Sequence, residues 1–214
     1  MADNYLEKKF EEFQANKGQT SKHKAVATNM SLNSLLLKNR SYRGFDSSRQ
    51  VTVEELQQIA EVCTKIPSAK NQQVLRFKLV AAEDAPRLQQ YTKWGGALPE
   101  LNLPFKGTEP SAFIVICSTV PENKWVDIDL GIAAQSMLLK AVELGLNGIC
   151  IGAFNKAEVT AEFSLPHEPV LVLAIGKGAE NIQLTRVKEG ESQTYYRKDG
   201  VHFVPKLGLE DLLL

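Results

Sequence analysis

Two guanidinium groups and one hydroxyl lie within four residues of the chain, at Arg40, Ser41 and Arg43. A guanidinium group presents a rigid fork of donors that matches a phosphate, and a serine hydroxyl adds a neutral donor. The cluster directly follows a leucine-rich run at 32–37, so it could form an anion pocket at the end of a short helix. It could also be a solvated helix end, where basic side chains complement the helix dipole. Short basic motifs are common, so the cluster alone favours the second interpretation.

Two further segments could contact a flat, polar ligand. In residues 67–73, the amides of Asn71 and Gln73 offer paired donors and acceptors that suit the imide edge of a heterocycle or a polyol chain. In residues 148–154, small residues would let backbone N–H groups approach a planar ring closely. Taken singly, the first segment is typical of a polar turn, and the second is typical of a tight strand packed against a helix.

The strongest helix pattern covers about residues 127–144, where apolar residues form two stripes. A helix that is apolar nearly all round is buried on more than one side. It is therefore either the central helix of the domain or the seam between two subunits, and Gly145 ends it as the C′ residue. The stripes comprise Leu130, Ala133, Ala134, Met137, Leu138, Ala141 and Leu144 on one side, and Ile128, Ile132, Leu139 and Val142 on the other.

The remaining apolar patterns alternate between helices and strands. A capping box at Thr52 and Glu55 starts another helix. Its predicted buried face comprises Val53, Leu56, Ile59, Ala60 and Cys63. Alternation over 75–79 predicts a half-buried strand, and the apolar runs 112–117 and 170–175 predict buried strands. Interleaved helices and strands favour an α+β or α/β sandwich with an antiparallel or mixed sheet.

Two segments stand apart from this pattern. Residues 93–110 combine glycines, prolines and aromatic residues, and so long an irregular stretch inside a domain is usually functional or mobile. Residues 3–16 carry a narrow apolar stripe and are followed by a polar run. Residues 1–30 are therefore predicted to form a helical arm outside the core.

Composition excludes several classes of function. The 25 basic and 25 acidic residues balance to a net charge of zero, so no global basic field for nucleic acid is expected and an anion site must be local. No apolar run reaches the roughly 18 residues that span a bilayer, and the polar first thirty residues do not predict a secretion signal. Three widely spaced cysteines without a C-x-x-C pair favour a reducing cytoplasm and no zinc or dithiol site.

The common catalytic signatures are also missing. The sequence has no G-x-S-x-G elbow, no Walker loop and no H-E-x-x-H motif. Its glycines at 145, 148 and 152 do not form a G-x-G-x-x-G fingerprint, so a Rossmann dinucleotide site has no support. The three histidines are isolated in the sequence, and no metal site is predicted from them.

In their order and spacing, the three polar and glycine-rich segments resemble the nitroreductase family of FMN-dependent oxidoreductases. The segment 40–45 is similar to R-S-x-R-x-F in that family's opening motif, and 67–73 is similar to its P-S-x-x-N-x-Q loop. Further matches are the D-x-G-x-A-x-Q-x-L block, the A-I-G strand end and a terminal signature at 205–211. The block is matched through Asp129, Gly131, Ala133, Gln135, Leu138, Ala141, Gly145 and Leu146.

The resemblance implies an α+β fold: a three-layer α/β/α sandwich with a mixed, mainly antiparallel sheet, in a helix-rich homodimer. It covers residues 31–214, which would form the FMN-binding domain after the arm. It also implies three groups of cofactor contacts. These are Arg40, Ser41, Arg43 and Lys206 for the phosphate and ribityl chain, Asn71 and Gln73 for the flavin of the partner subunit, and the Gly152 and Ala153 backbone for the ring.

The same resemblance implies an activity. The chain would pass hydride from NADH or NADPH to an organic acceptor such as a nitroaromatic or a quinone, by a ping-pong mechanism. A reductive dehalogenase or flavin-destructive enzyme of the same fold, and a non-catalytic flavin-binding protein, are the alternatives. The chain departs from the family pattern at Asn39, where an arginine is usual, and at Val74 and Gly208, where prolines are usual. Lys38, Arg197 or Lys198 could supply the charge missing at Asn39.

Overall fold

The computed structural model describes residues 30–96 and 101–214. The helices are α1 (Leu32–Lys38), α2 (Val53–Glu61), α3 (Ala85–Gln89), α4 (Lys124–Glu143) and α5 (Lys156–Glu162). The strands are β1 (Leu75–Val80), β2 (Ala112–Ser118), β3 (Asn147–Ile151), β4 (Glu168–Gly176), β5 (Asn181–Val187), β6 (Tyr196–Lys198) and β7 (Val201–Leu207). The helical arm predicted at 1–30 lies, apart from Met30, outside the described residues.

The main sheet has four strands in the order β1-β2-β4-β3, and every neighbouring pair is antiparallel. All seven residues of β2 are buried, because this strand lies inside the sheet and is covered on both faces. Strand β1, at the edge, alternates between partly buried and exposed side chains until its buried last residue. The strands predicted at 75–79, 112–117 and 170–175 are therefore confirmed.

Two apolar clusters cover opposite faces of this sheet. On one face, Ile114 and Ile116 of β2 pack in a cluster with Leu56 of α2 and Met137 of α4. On the other face, their neighbours Phe113 and Val115 pack in a cluster with Leu88 of α3 and Val159 of α5. Successive side chains of a strand point to opposite faces, so one strand contributes to both cores. Helix–sheet–helix layering results, and the predicted three-layer α/β/α sandwich is confirmed.

The helix ends follow from local hydrogen bonds. In the predicted capping box, Thr52 Oγ1 accepts from Glu55 N at 3.2 Å, and Glu55 Oε2 accepts from Thr52 N at 2.9 Å. The prediction that Val53 is buried was wrong, since its side chain is 47% exposed. In the first turn of α2, the carboxylate of Glu55 takes the buried position instead.

Helix α4 is longer than predicted at its start. Asn123 Oδ1 accepts from Trp125 N at 3.0 Å and from Val126 N at 3.4 Å, and this cap moves the first helical residue to Lys124. At the other end, Gly145 has a φ of 76°, and Leu146 N donates to Ala141 O at 2.8 Å. This is the glycine-terminated end that was predicted.

The two predicted stripes of α4 differ in burial. The first is largely covered by the core, with Ala133, Met137 and Ala141 almost inaccessible. In the second, only Val142 is buried, whereas Ile128 is 43% exposed. Near the start of the helix, Trp125 is 55% exposed. Among the described residues, nothing therefore covers one face of the central helix.

A second, three-stranded sheet at the C-terminal end was not predicted. Its order is β5-β7-β6, with β5 parallel and β6 antiparallel to β7. Pro205 lies inside the middle strand β7, and a proline within a run argues against a central strand. Polar residues along β5 also weaken the hydrophobic alternation by which a strand is predicted. This sheet contains the only parallel strand pair among the described residues, so the predicted mixed character comes from here.

Two further observations concern the remaining segments. The described parts of the irregular stretch, 93–96 and 101–110, contain no α-helix and no β-strand. Within the described residues, no helix combines the length and the apolar character needed to cross a membrane.

Candidate active site

A cleft of about 340 Å³ lies where the segment after α1 meets α4, β3 and the C-terminal sheet. Four predicted phosphate ligands line it: Arg40, Ser41, Arg43 and Lys206. Its other lining residues are Asn39, Gln135, Leu138, Gly148, Cys150, Ile182, Tyr195, His202 and Val204. The fold thus brings Lys206 to the arginine cluster from the far end of the chain.

Arg43 is the most enclosed cation of the cleft, with only 8% of the residue exposed. Its Nη1 donates to Ser41 O at 3.1 Å and lies 3.5 Å from His202 Nε2. Its guanidinium carbon lies 4.7 Å from the centre of the Tyr195 ring, which is within cation–π range. Its Nε is buried and has no hydrogen-bond partner among the residues that the structure describes. The guanidinium group is held rigidly and still has a donor to offer.

A buried carboxylate ties this segment to the C-terminal sheet. Glu180 Oε2 accepts from the backbone N–H of Arg43 and, at 3.1 Å, from that of Gly44. Its Oε1 pairs with Arg197 of β6, and the glutamate side chain is 3% exposed. Burial raises the pKa of the Glu180 carboxyl, while Arg197 and Arg43 favour its ionised form. The guanidinium of Arg197 pairs with this carboxylate, whereas that of Arg43 acts on it only from beyond ion-pair distance, which leaves positive charge beside the cleft.

The other two residues of the arginine cluster are oriented differently. Arg40 Nη2 donates to Leu36 O, in the last turn of α1, at 2.6 Å. Its Nε is buried and meets no hydrogen-bond partner in the described part of the chain. Ser41 forms an isolated parallel bridge with Gly148 of β3. Asn39 donates through Nδ2 to Gln135 Oε1 of α4 at 3.2 Å. The neutral amide at Asn39 therefore anchors the segment to α4.

Gly148 brings the backbone of β3 close to its neighbours. A Cβ atom there would lie 2.5 Å from Ala174 O and 2.6 Å from Leu138 Cδ2. Because a carbonyl of the paired strand cannot move aside, only glycine fits at this position. Its backbone forms part of the cleft wall next to Ser41.

The sequence pattern of the nitroreductase family matches residues 36–177, about two thirds of the chain. The chain belongs to the nitroreductase family. The match includes the arginine cluster, Gly148 and α4, and it ends just before Glu180. The C-terminal wall of the cleft therefore lies outside the matched region.

Individual members of the nitroreductase family agree with this placement. A provisionally named NADH dehydrogenase/NAD(P)H nitroreductase of Archaeoglobus fulgidus is 28% identical over 130 residues, which span 58% of this chain and 68% of that protein. A nitroreductase family protein from Clostridium difficile is 25% identical, with a TM-score of 0.54 over 71% of this chain and 86% of that one. A provisionally named nitroreductase from Exiguobacterium sibiricum, solved in complex with FMN, is 22% identical, with a TM-score of 0.58 over 72% and 90%. At that identity, the last likeness shows the fold alone.

The loop that resembles the family's P-S-x-x-N-x-Q motif does not line the cleft. Asn71 and Gln73 are exposed, and Gln73 Nε2 donates to Asn71 Oδ1 at 3.2 Å. Both have positive φ values, of 54° and 50°, as does Lys70 at 52°. Ala69 N donates to the buried Asp129 of α4 at 2.8 Å. The loop is thus fixed in an uncommon conformation with its amides facing outward.

Gly152 and Ala153, predicted to face a flavin ring, also lie outside the cleft lining. Both are exposed in the protomer. Ala153 O accepts from Lys93 N at 2.8 Å, so the segment after β3 is joined to the start of the irregular stretch. A Cβ atom added at Gly152 would meet no described residue within 4 Å. Gly152 lies four residues after Gly148, just past the end of β3.

Two residues of the cleft were missed by sequence reasoning: Tyr195 and His202. His202 is 3% exposed, and its ring centre lies 5.2 Å from that of Tyr195. Burial lowers the pKa of His202 to about 4, helped by Arg43 and Arg197. An isolated histidine in a segment with no predicted strand carries no signal of this role, because its partners come from distant parts of the chain. Among the described residues, no group of His, Cys, Asp and Glu could hold a metal ion.

Proposed function

We propose that the chain is an FMN-dependent oxidoreductase that takes hydride from NADH or NADPH and passes electrons to an organic acceptor, such as a nitroaromatic or a quinone. The observation that carries the proposal is the cleft itself, in which Arg40, Arg43, Ser41 and Lys206 converge. Membership of the nitroreductase family and the NAD(P)H- and FMN-related names of its relatives support it.

The donor set of the cleft suits a terminal phosphate. Three of its buried side-chain nitrogens have no partner within residues 30–96 and 101–214, namely Arg40 Nε, Arg43 Nε and His202 Nδ1. In a charged guanidinium, and in an imidazole protonated at Nδ1, these nitrogen atoms donate hydrogen bonds and cannot accept them. Unpaired buried donors are rare. A bound anion would accept hydrogen bonds from these donors and balance the excess positive charge of the cleft. The residues present therefore fit the phosphate group of FMN.

The remaining predicted contacts suit the other end of the same ligand. Gly152 lies four residues along the chain from Gly148, roughly 13 Å in an extended strand. A ligand whose phosphate sits at Arg43 would reach the exposed backbone of Gly152 and Ala153 with its ring. Asn71 and Gln73 would meet the ring from the partner subunit, since within the protomer they lie outside the cleft. When bound, FMN supplies the hydride and electron transfer, and the protein supplies binding, orientation and electrostatics.

The first prediction concerns the cofactor. The purified chain, after incubation with FMN, is expected to show the absorption spectrum of a bound flavin, and the ligand released on denaturation should have the mass of FMN. NADH or NADPH oxidation under air should accompany it. Release of FAD, or no flavin after reconstitution, would contradict the cofactor assignment. A bound flavin without any NAD(P)H oxidation would favour a non-catalytic flavin-binding protein.

The second prediction concerns the order of the reaction. One cleft must serve donor and acceptor in turn, so double-reciprocal plots should give the parallel lines of a ping-pong mechanism. The thiols should take no part, because burial raises the pKa of Cys63 and of Cys117 to about 11 and raises that of Cys150 as well. Serine at each of these positions should leave turnover within a few-fold in a folded, flavin-loaded protein. Intersecting lines, or loss of activity in such a variant, would rule the mechanism out.

We further propose that the enzyme is a homodimer. The uncovered face of α4 and the exposed leucines of α1 would otherwise present a large apolar area to water. The clearest members are Leu32, Leu37, Trp125 and Ile128, together with Leu209 and Leu212–Leu214 near the C-terminus. An obligate interface commonly buries more than about 2,000 Å² of such surface. The outward-facing Asn71 and Gln73 would then reach the partner's cleft.

The third prediction tests this assembly through Gly131. Glycine inside a helix costs about 0.5–1 kcal/mol relative to alanine, and a Cβ at Gly131 would meet nothing within 4 Å in the described part of the protomer. In a dimer, the open space is expected to be filled by the partner, so Gly131→Ala should weaken the dimer. Light scattering across a dilution series of the wild type and the variant measures this. The proposed dimer would be overturned if the wild type is monomeric and Gly131→Ala makes that monomer more stable.

A further inference from the structure

Every group that holds the Arg43 guanidinium is uncharged. Ser41 contributes a backbone carbonyl, Tyr195 contributes the face of its ring, and His202 contributes Nε2 at 3.5 Å. The nearby carboxylate of Glu180 bonds instead to the backbone N–H groups of Arg43 and Gly44 and to Arg197. Within the described residues, no carboxylate forms an ion pair with Arg43. The guanidinium is fixed in place without a directly paired counter-charge, since Glu180 acts on it only from beyond ion-pair distance.

The contact with His202 determines which ring nitrogen carries the proton. A guanidinium group has donors only, so the nitrogen that faces Arg43 Nη1 must be an acceptor. We therefore expect His202 Nε2 to be unprotonated, with the proton on Nδ1. The ring is neutral at neutral pH because burial, with Arg43 and Arg197 nearby, lowers its pKa to about 4. A neutral imidazole can thus orient the arginine without cancelling its charge.

We propose that His202 is a positioning residue for cofactor recognition, an uncharged acceptor that orients the Arg43 guanidinium and leaves its charge available to the phosphate of FMN. The inference rests on the proposed function, since it assumes that the cleft receives that phosphate. It gives the C-terminal sheet a role in binding, although this sheet lies beyond the region that matches the family pattern.

The test replaces His202 by three side chains of graded chemistry in the full-length chain. Gln offers an uncharged carbonyl near the Nε2 position, Phe keeps the ring and its contact with Tyr195 but loses the acceptor, and Glu places a carboxylate against Arg43. Dissociation constants for FMN and for riboflavin, which lacks the phosphate, are measured by flavin fluorescence. His167→Gln, outside the cleft lining, is the matched control. Thermal unfolding of each apoprotein reports on the fold.

His202→Gln should bind FMN within about 3-fold of the wild type. His202→Phe should bind about 10-fold more weakly, because Arg43 loses the acceptor that orients its hydrogen bond to the phosphate. His202→Glu should bind more weakly still, because the carboxylate redirects Arg43 to itself. Riboflavin affinity should stay within about 3-fold throughout, on the same scale. Nitrogen-15 shifts of the histidine ring should show the Nδ1–H tautomer in the apoprotein.

The outcomes separate this inference from the function on which it rests. If the wild type binds FMN and folded His202→Phe binds it as tightly, His202 does not position Arg43, and the proposed function stands. If His202→Gln and His202→Glu bind FMN equally tightly, the charge argument is wrong. The comparison of these two variants tests the inference even if His202→Phe does not fold. If the wild type does not bind FMN at all, the proposed function fails, and the inference fails with it.

Discussion

Replacement of Arg43 by alanine is expected to weaken FMN binding roughly 10- to 100-fold, because a hydrogen bond to a charged group contributes about 1.5–3 kcal/mol and each 1.4 kcal/mol is tenfold in affinity. Burial places the effect at the upper part of that range, since the residue is only 8% exposed and solvent screens it little. The fold should survive, because Glu180 bonds to the backbone N–H of Arg43 and to Arg197.

The measurement is a titration of apoprotein with FMN and, separately, with riboflavin. Riboflavin affinity should hardly change, because the lost interaction is with the phosphate. Arg87→Ala is a matched control, since it also removes one positive charge but lies on α3, where Arg87 pairs with Asp84 and Glu162. An unchanged FMN dissociation constant in folded Arg43→Ala would mean that the phosphate binds elsewhere.

Alanine at Gly148 is expected to lower both stability and cofactor affinity. The added Cβ would lie 2.5 Å from Ala174 O, a backbone atom of the paired strand β4, and 2.6 Å from Leu138 Cδ2. Overpacking of this kind typically costs about 1–3 kcal/mol, and each kcal/mol lowers the melting temperature of a chain this long by about 2–4 °C. Because Gly148 also lines the cleft beside Ser41, any outward shift of β3 would narrow the phosphate site.

Calorimetry of the apoprotein and an FMN titration check the two parts of this prediction. Gly96→Ala is the control, because an added Cβ there meets none of the described residues within 4 Å and Gly96 has no positive φ. It should leave the melting temperature nearly unchanged. If Gly148→Ala has the melting temperature and the FMN affinity of the wild type, β3 and β4 do not approach each other at this residue as closely as the structure shows.

Local pattern predicted much of the sandwich. The apolar runs of β2 and β4, the alternation of β1, the Thr52–Glu55 cap and the glycine after α4 are each encoded within a few neighbouring residues, and each was confirmed. The predicted start of α4 was too late, because a side-chain hydrogen bond from Asn123 moves it to Lys124. The predicted burial of Val53 was wrong, because Glu55 takes the buried position in the first turn of α2. Neither effect is encoded in the hydrophobic period.

The cleft was predicted in part. Arg40, Ser41, Arg43 and Lys206 were expected to converge, and the structure brings all four to one cavity, while their contact with a cofactor stays a prediction. Asn71, Gln73, Gly152 and Ala153 do not reach that cavity within the protomer. Their proposed roles depend on a partner subunit and on a ligand that extends along β3, neither of which one chain's pattern describes.

The sequence by itself determined the layered core and the charged end of α1, because both depend on short-range periodicity and on side-chain chemistry that can be read residue by residue. The C-terminal sheet, and with it the wall formed by Tyr195, Arg197 and His202, was decided only by tertiary structure. Its middle strand contains a proline, and its position is set by Glu180, which bonds to Arg43 and Gly44 from more than 130 residues away. A contact over that separation depends on how the whole chain folds back on itself, so the neutral histidine beside a charged arginine becomes visible only in three dimensions.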